Sequence, residues 1–190
     1  MNRESKQYRN QLQLNRVFRQ FLPTLLLLVV SLLTFSSIVT IQGQPVRSAS
    51  TSSMLEQNKA VIRRYYDELI NQGNFDVADE LIATDLVQHS KGTAQGREGI
   101  VQEMQNSHNV FSNFNIKIDD LIAENDKVVV RATVSGVHAG TWMNITATRK
   151  PVQFPSIDIF RVVDGKLQEH WDVTDRFGLM QQLEAASAPS

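Results

Sequence analysis

The chain has 190 residues, a formal net charge of −1 and no cysteine. Six of its 19 basic residues but only one of its 20 acidic residues lie in residues 1–50, so the remainder carries 13 basic and 19 acidic side chains, a net charge of −6. That balance argues against nucleic-acid binding, which needs a basic surface. Without cysteine the chain has no disulfide framework and no lipobox for lipid attachment.

An export segment is predicted at the N-terminus. A basic flank, free of acids except Glu4, precedes the apolar run Phe21–Ile41, and no charged residue lies between Arg19 and Arg47. This order is typical of a signal peptide, and about twenty apolar residues are also enough to span a bilayer. Residues 1–43 are therefore interpreted as a signal peptide or an uncleaved membrane anchor. Both alternatives place the domain outside the cytoplasm, secreted, periplasmic or tethered, because the positive flank stays inside.

The rest of the chain is predicted to form one domain. Residues 44–54 are small and polar without periodicity, which indicates a linker. Residues 55–185 have the length of one ordinary domain, and residues 186–190 are predicted as a flexible tail.

The spacing of apolar residues predicts helices first and strands later. Helices are predicted within residues 58–73, 74–85 and 96–111. From Phe114 onward the period is that of strands, with four strands predicted, one of them a central strand at Lys127–His138, and a closing helix after Asp175. The order predicts an α+β fold with a curved, cone-like antiparallel sheet wrapped around the N-terminal helices, and a pocket inside it.

The polar residues of "HWDVTD" lie at the end of the last predicted strand. Side chains alternate along a strand, so His170 and Asp172 share one face. Asp158, in "FPSIDIF", lies on the preceding strand, and a turn at Asp164-Gly165 pairs residues whose numbers sum to about 329. This register places His170 near Phe160 and Asp172 near Asp158. Two carboxylates and an imidazole brought together suit acid–base chemistry.

Purely structural roles would explain the presence of these polar residues equally well. Asp172 could cap a helix or be solvated, and His170 could simply bond a carboxylate. Asp175, directly before "RFGLM", is interpreted as the cap of the closing helix. His89, His170 and Asp172 would hold a metal only if they converged, and no local motif indicates a metal site.

Four blocks then identify a resemblance: "NKAVIRRYYDELINQGNFDVADELIATDLVQHS", "GREGI", "IKIDDLIAENDKVVVRATVSGVHAGTW" and "VQFPSIDIFRVVDGKLQEHWDVTDRFGLMQQL". Together they resemble the SnoaL-like polyketide cyclases, or ester cyclases, of the nuclear transport factor 2-like superfamily. The resemblance runs from Leu55 to Leu183. It implies a cone-shaped α+β barrel around an apolar pocket, and ring closure by intramolecular aldol condensation without metal or cofactor.

The resemblance also implies roles for individual residues. Asp172 occupies the position of the family's acid–base aspartate, and His170 is expected to orient or polarise the substrate. Asp158 stands where the best-known cyclases carry a histidine, and the loop Asn144–Lys150, "NITATRK", lacks the prolines and glycine that are usual there. Five side chains are expected to contact the substrate, although packing explains some of them equally well: Asp158, His89, Gln88, Tyr66 and Trp171.

Three functions remain open at this point. The first is a cofactor-free enzyme of cyclase, isomerase or dehydratase type, in which Asp172 removes a proton next to a carbonyl group. The second is an exported or tethered domain that binds a small apolar or carbonyl-containing ligand without converting it. The third is an interaction module that pairs through the open face of its sheet, which would also allow a homodimer.

Overall fold

The computed structural model describes residues 45–187, with side chains described for residues 50–184. The predicted signal or anchor, residues 1–43, and the last three residues of the predicted tail lie outside this range. The described residues from 48 to 187 belong to one compact unit. No helix in the described part of the chain is long and apolar enough to cross a membrane.

The helical elements before the sheet carry the first part of the core. Helix α1 spans Pro45–Arg64, and therefore includes most of the residues predicted as an aperiodic linker. It continues directly into a π-helical segment, Tyr65–Asn71, whose wider turn buries two adjacent pairs of side chains. A 3-10 turn, Phe75–Val77, and a single turn of helix α2, Ala78–Leu81, follow.

Strand β1, Ile82–Gln88, corrects the sequence-based prediction. Part of it was predicted to belong to the helix over residues 74–85, and no strand was expected before helix α3, Gly96–Val110. The strand is parallel to β5, Lys166–Thr174, which lies about eighty residues later in the chain. Strand β1 is therefore stabilised by a contact with a strand distant in sequence. The short mixed sequence "IATDLVQ" gives no strong local signal for a strand.

The remaining strands form the antiparallel part of a five-stranded sheet. Strands β2, Phe111–Glu124, β3, Lys127–His138, and β4, Pro151–Val163, complete the order β1-β5-β4-β3-β2. The interior position of β3 confirms its prediction as a central strand. Helix α4, Arg176–Ser187, closes the domain. The fold is α+β, as predicted.

Local turn chemistry sets the β4–β5 hairpin. Asp164 and Gly165 both have positive φ, 50° and 75°, which is the conformation that an Asp-Gly turn favours between two strands. The predicted register is confirmed, because Asp158 pairs with Asp172 and Phe160 pairs with His170.

The pairing of β4 with β5 shifts register between Arg161 and Val162, and this bulge changes which face of β5 one side chain occupies. Strict alternation would place Leu167 on the face opposite His170, yet it is buried in the core with only 1% of its surface exposed. A bulge inserts an unpaired residue and so reverses the alternation of side chains on one side of it. His170 and Asp172 keep their predicted face, because they follow the bulge.

The core joins the π-helical segment to the inner face of the sheet. Phe160 is 1% exposed and makes edge contacts with Tyr65 and Tyr66, at centroid distances of 5.4 and 6.2 Å. Its ring also stacks on that of His170, at 4.6 Å and 11°. The core therefore reaches directly to the polar residues predicted as the site.

Candidate functional site

A cavity of about 450 Å³ lies against the inner face of the sheet. Its apolar wall contains six aromatic side chains: Tyr65, Tyr66, Phe111, Phe114, Trp142 and Phe154. Its polar side contains Asp158, His170, Asp172, Glu103 and Arg176. An apolar wall rich in aromatic side chains, with convergent polar groups, is typical of a small-molecule site.

His170 is held by hydrogen bonds at both ring nitrogens. The side-chain amide nitrogen of Gln88 lies 3.0 Å from Nδ1, and Nε2 lies 3.1 Å from Oδ1 of Asp158. The amide oxygen of Gln88 accepts from the backbone N–H of Ser90, so its nitrogen is the end that donates to His170. Nδ1 is then the acceptor, and Nε2 carries the proton that is donated to Asp158. His170 is thus a support for Asp158, with no ring nitrogen left for a substrate.

Asp158 is the most enclosed carboxylate of the site, at 9% exposure. Besides His170 it receives a hydrogen bond from the Ser156 hydroxyl, at 2.6 Å to Oδ2. A buried carboxylate is stabilised in this way by donors at both oxygens.

Asp172 lies across the strand pair from Asp158 but has different partners. The Ser90 hydroxyl donates to its Oδ1, and the Thr174 hydroxyl donates to Oδ2 at 3.1 Å. Asp172 is half-exposed and lines the cavity. It is therefore the better placed of the two carboxylates to meet a ligand.

The end of strand β1 brings Gln88 and Ser90 to these side chains. Gln88 pairs with His170 in the parallel register, and its backbone N–H and C=O are both bonded by the Gln95 side chain, at 2.9 and 2.8 Å. Gln88 is 4% exposed and lies behind His170, not in the cavity wall. It was predicted to contact the substrate; the structure places it as a support for His170.

Two predicted substrate contacts lie on the other face of the sheet. His89 stacks on Trp171, with centroids 4.4 Å apart and planes 2° apart, and neither side chain lines the cavity. His89 bonds Glu169, which also accepts from Arg161. These two hydrogen bonds, that of His89 first, lower the pKa of Glu169.

The prediction that His89 and Trp171 contact the substrate is therefore corrected. Alternation along β1 and β5 turns both side chains outward while Gln88, His170 and Asp172 turn inward. His89, His170 and Asp172 also do not converge, and no cluster of metal-binding side chains occurs among residues 45–187.

Tyr66 lines the cavity, and its contact with a substrate stays a prediction. Burial raises the pKa values of Tyr65 and Tyr66 well above the usual value, and the charge of Asp158 adds to the effect on both. Both hydroxyls keep their protons at neutral pH, so the two tyrosines contribute apolar rings and hydroxyl donors to the deep end of the cavity.

Glu103 is a cavity residue that the sequence analysis missed. It lies on α3, is half-buried, and accepts a hydrogen bond from the Thr93 hydroxyl at 3.0 Å. Burial raises its pKa, an effect that the Thr93 hydrogen bond opposes and the charge of Asp172 reinforces. The signal was available in the sequence: Glu103 lies three residues after Ile100 and four before Ser107, on the same inward helix face.

Comparisons with known proteins agree with this architecture. The sequence profile of the SnoaL-like polyketide cyclase family matches residues 60–183. TsrD from Streptomyces laurentii is 27% identical, with a TM-score of 0.64 over 68% of this chain and 96% of that one. IdmH from Streptomyces antibioticus, named as a candidate polyketide cyclase, is 28% identical, with a TM-score of 0.61 over 67% and 99% of the two chains. No curated protein matched the sequence.

A third solved structure carries a different functional name. AclR from Streptomyces galilaeus, named as a candidate hydroxylase, is 25% identical, with a TM-score of 0.62 over 71% of this chain and 99% of that one. Similar structures therefore carry more than one functional name.

Proposed function

Because the chain belongs to the SnoaL-like polyketide cyclase family, we propose that it is a cofactor-free enzyme that removes a proton next to a substrate carbonyl group, with Asp172 as the general base. The resulting reaction is of the intramolecular aldol, isomerase or dehydratase type. The substrate is a small, largely apolar compound with an enolisable carbonyl group, consistent with the aromatic wall of the cavity.

The observation that carries this proposal is the placement of Asp172. It is a carboxylate in the wall of an aromatic cavity, and its two oxygens are oriented by Ser90 and Thr174. A carboxylate oxygen has more than one lone pair, so each oxygen that accepts from a hydroxyl can still accept a proton from carbon. A positioned base of this kind contributes about 10²–10⁴-fold to proton transfer.

His170 and Asp158 are assigned a supporting role. His170 bonds Asp158 and Gln88 through its two ring nitrogens, so it positions Asp158 and leaves contact with the substrate to other side chains. Asp158 lies beside Asp172 and adds negative charge at the polar end of the cavity.

Deuterium exchange tests the proposal directly. The purified full-length chain and its Asp172→Asn variant would be incubated in D₂O with a panel of β-keto esters and related enolisable carbonyl compounds, and loss of the α proton would be followed by NMR. Exchange by the native chain and at least 100-fold slower exchange by the variant would support Asp172 as the base. Asp175→Asn is the matched control, because Asp175 caps helix α4 and does not line the cavity.

The alternative is a domain that binds the same ligand without converting it. The aromatic wall and the cavity volume would serve this function equally. Binding of compounds from the same panel by both native chain and variant, without exchange by either, would favour it over catalysis.

We also propose that the domain acts outside the cytoplasm. The proposal rests on the basic flank and apolar run of residues 1–43. Protease digestion of intact cells that express the chain would degrade an exported domain and spare a cytoplasmic one. N-terminal sequencing of the mature chain would separate a cleaved signal peptide from an anchor.

A further inference from the structure

Glu103 faces Asp172 and its neighbours from another element of the fold. Asp172 and His170 come from strand β5, Arg176 from helix α4, and Thr93 from the loop before α3, and each of them affects the charge state of Glu103. From the π-helical segment, Tyr65 also lies within the electrostatic influence of Glu103. All six side chains line one cavity.

We propose that Glu103 is a second catalytic residue, which donates a proton to the carbonyl oxygen of the substrate while Asp172 removes the α proton. This proposal rests on the function proposed above and adds the acid to its base. A base alone leaves negative charge on the substrate oxygen, and a donor placed at that oxygen is often the largest single contribution to such a reaction.

Three observations favour Glu103 for this task. It lines the same cavity as Asp172 but belongs to a different element, so a substrate between them can contact both. Burial raises its pKa, which favours the neutral acid. The Thr93 hydroxyl donates to Oε2, so a proton on this carboxyl group would be held by Oε1. Paired groups whose surroundings favour opposite protonation states are the usual arrangement for an acid and a base.

The step balances without a further reactant. The Cα–H bond breaks and its proton passes to Asp172. The electron pair forms the C=C bond, and the carbonyl oxygen takes the proton of Glu103, which gives a neutral enol. When the enol carbon bonds to a second carbonyl group of the same substrate, the C=O bond re-forms and its proton returns to Glu103. Asp172 gives its proton to the new alkoxide, and both residues regain their initial state.

The test compares Glu103→Gln and Glu103→Ala with the native full-length chain in the same exchange assay, between pH 5 and 9. We expect Glu103→Ala to slow exchange about 100-fold, as loss of one donor to a developing oxyanion does. Glu103→Gln keeps an N–H donor and is expected to lose about tenfold or less. The native rate should fall as the pH rises through the raised pKa of Glu103, and Glu103→Gln should lack that fall. Glu98→Gln, exposed on the same helix, is the control.

Infrared spectroscopy provides a readout that does not depend on activity. The native chain should keep a protonated carboxyl band above the ordinary glutamate pKa of 4.5, and Glu103→Gln should lack that band. Absence of the band in the native chain, or equal exchange rates and pH profiles for native and Glu103→Ala, would reject the inference while the proposed function stands. No exchange by the native chain would reject both.

Discussion

Asp158 and Asp172 are directly paired across strands β4 and β5 and line the same cavity, yet they share none of the hydrogen-bond donors found for either. Asp158 is held by Ser156 and His170, and Asp172 by Ser90 and Thr174. The donors to Asp158 come from β4 and β5, whereas one donor to Asp172 comes from the segment after β1. Asp158 is therefore held by donors from strands β4 and β5 alone, whereas Asp172 also depends on Ser90, which follows the edge strand β1.

The Gln88 hydrogen bond to His170 should affect both stability and the imidazole ¹⁵N shifts. Gln88→Leu removes the donor to a buried nitrogen, so we expect the free energy of unfolding to fall by about 1–3 kcal/mol. The ¹⁵N shift of Nδ1 should change because that nitrogen loses its donor, while the contact with Asp158 keeps the proton on Nε2. Gln57→Leu, on the exposed face of α1, should change stability by about 0.5 kcal/mol or less. Unchanged His170 shifts in Gln88→Leu would contradict the proposed orientation.

Glu103 should make the domain less stable as the pH rises. Burial raises its folded-state pKa above the ordinary value of 4.5. Between these two values the unfolded chain releases a proton that the folded domain retains, so stability falls with increasing pH across this window and then stays lower. Glu103→Gln should therefore gain stability relative to the native chain as the pH rises above 4.5.

Thermal unfolding midpoints of both chains across that range would test the Glu103 prediction. Glu98→Gln should show a constant difference from the native chain. A pH-independent difference for Glu103→Gln would contradict the expected shift.

His138 should act with the opposite sign. Burial, followed by the charge of Arg149, lowers its pKa below the ordinary value of 6.5. The unfolded chain then takes up a proton that the folded domain does not bind, so stability is full above pH 6.5 and is lost as the pH falls toward the lowered pKa. His138→Asn keeps an acceptor for the backbone N–H of Thr148 and should remove this part of the acid sensitivity. Urea unfolding of the native chain and His138→Asn at pH 8, 6.5 and 5.5 would test this prediction. The same change of unfolding free energy with pH in both chains would disprove it.

Phe160 should be a major contributor to the stability of the domain. Its ring contacts Tyr65, Tyr66 and His170 and is 1% exposed, so Phe160→Ala should lower the free energy of unfolding by about 3–5 kcal/mol. Phe177→Ala removes a ring that is 65% exposed and should cost about 0.5 kcal/mol or less. Chemical denaturation of both variants gives the comparison, and similar losses would argue against the central position of Phe160.

Some of the predicted features depend on local chemistry, and these are confirmed. The Asp164-Gly165 turn joins its strands in the register that pairs Asp158 with Asp172, because two adjacent residues with positive φ match the twist of a hairpin. Asp175 caps helix α4 through the backbone N–H of Gly178, at 2.8 Å. Both features involve residues close in sequence, so composition and spacing are enough to predict them.

By itself the sequence determined the hairpin, its inward-facing His170 and Asp172, and the α+β class. Only the tertiary structure decided which residues surround them. Strand β1 pairs with β5 across about eighty residues, and this pairing turns Gln88 toward His170 and His89 toward Trp171. A one-residue difference along an edge strand exchanges its two faces, and that choice depends on the partner strand. Glu103 likewise becomes part of the site because helix α3 packs over the sheet: helical spacing predicts its inward face, but the strands that this face meets are set by contacts between elements distant in sequence.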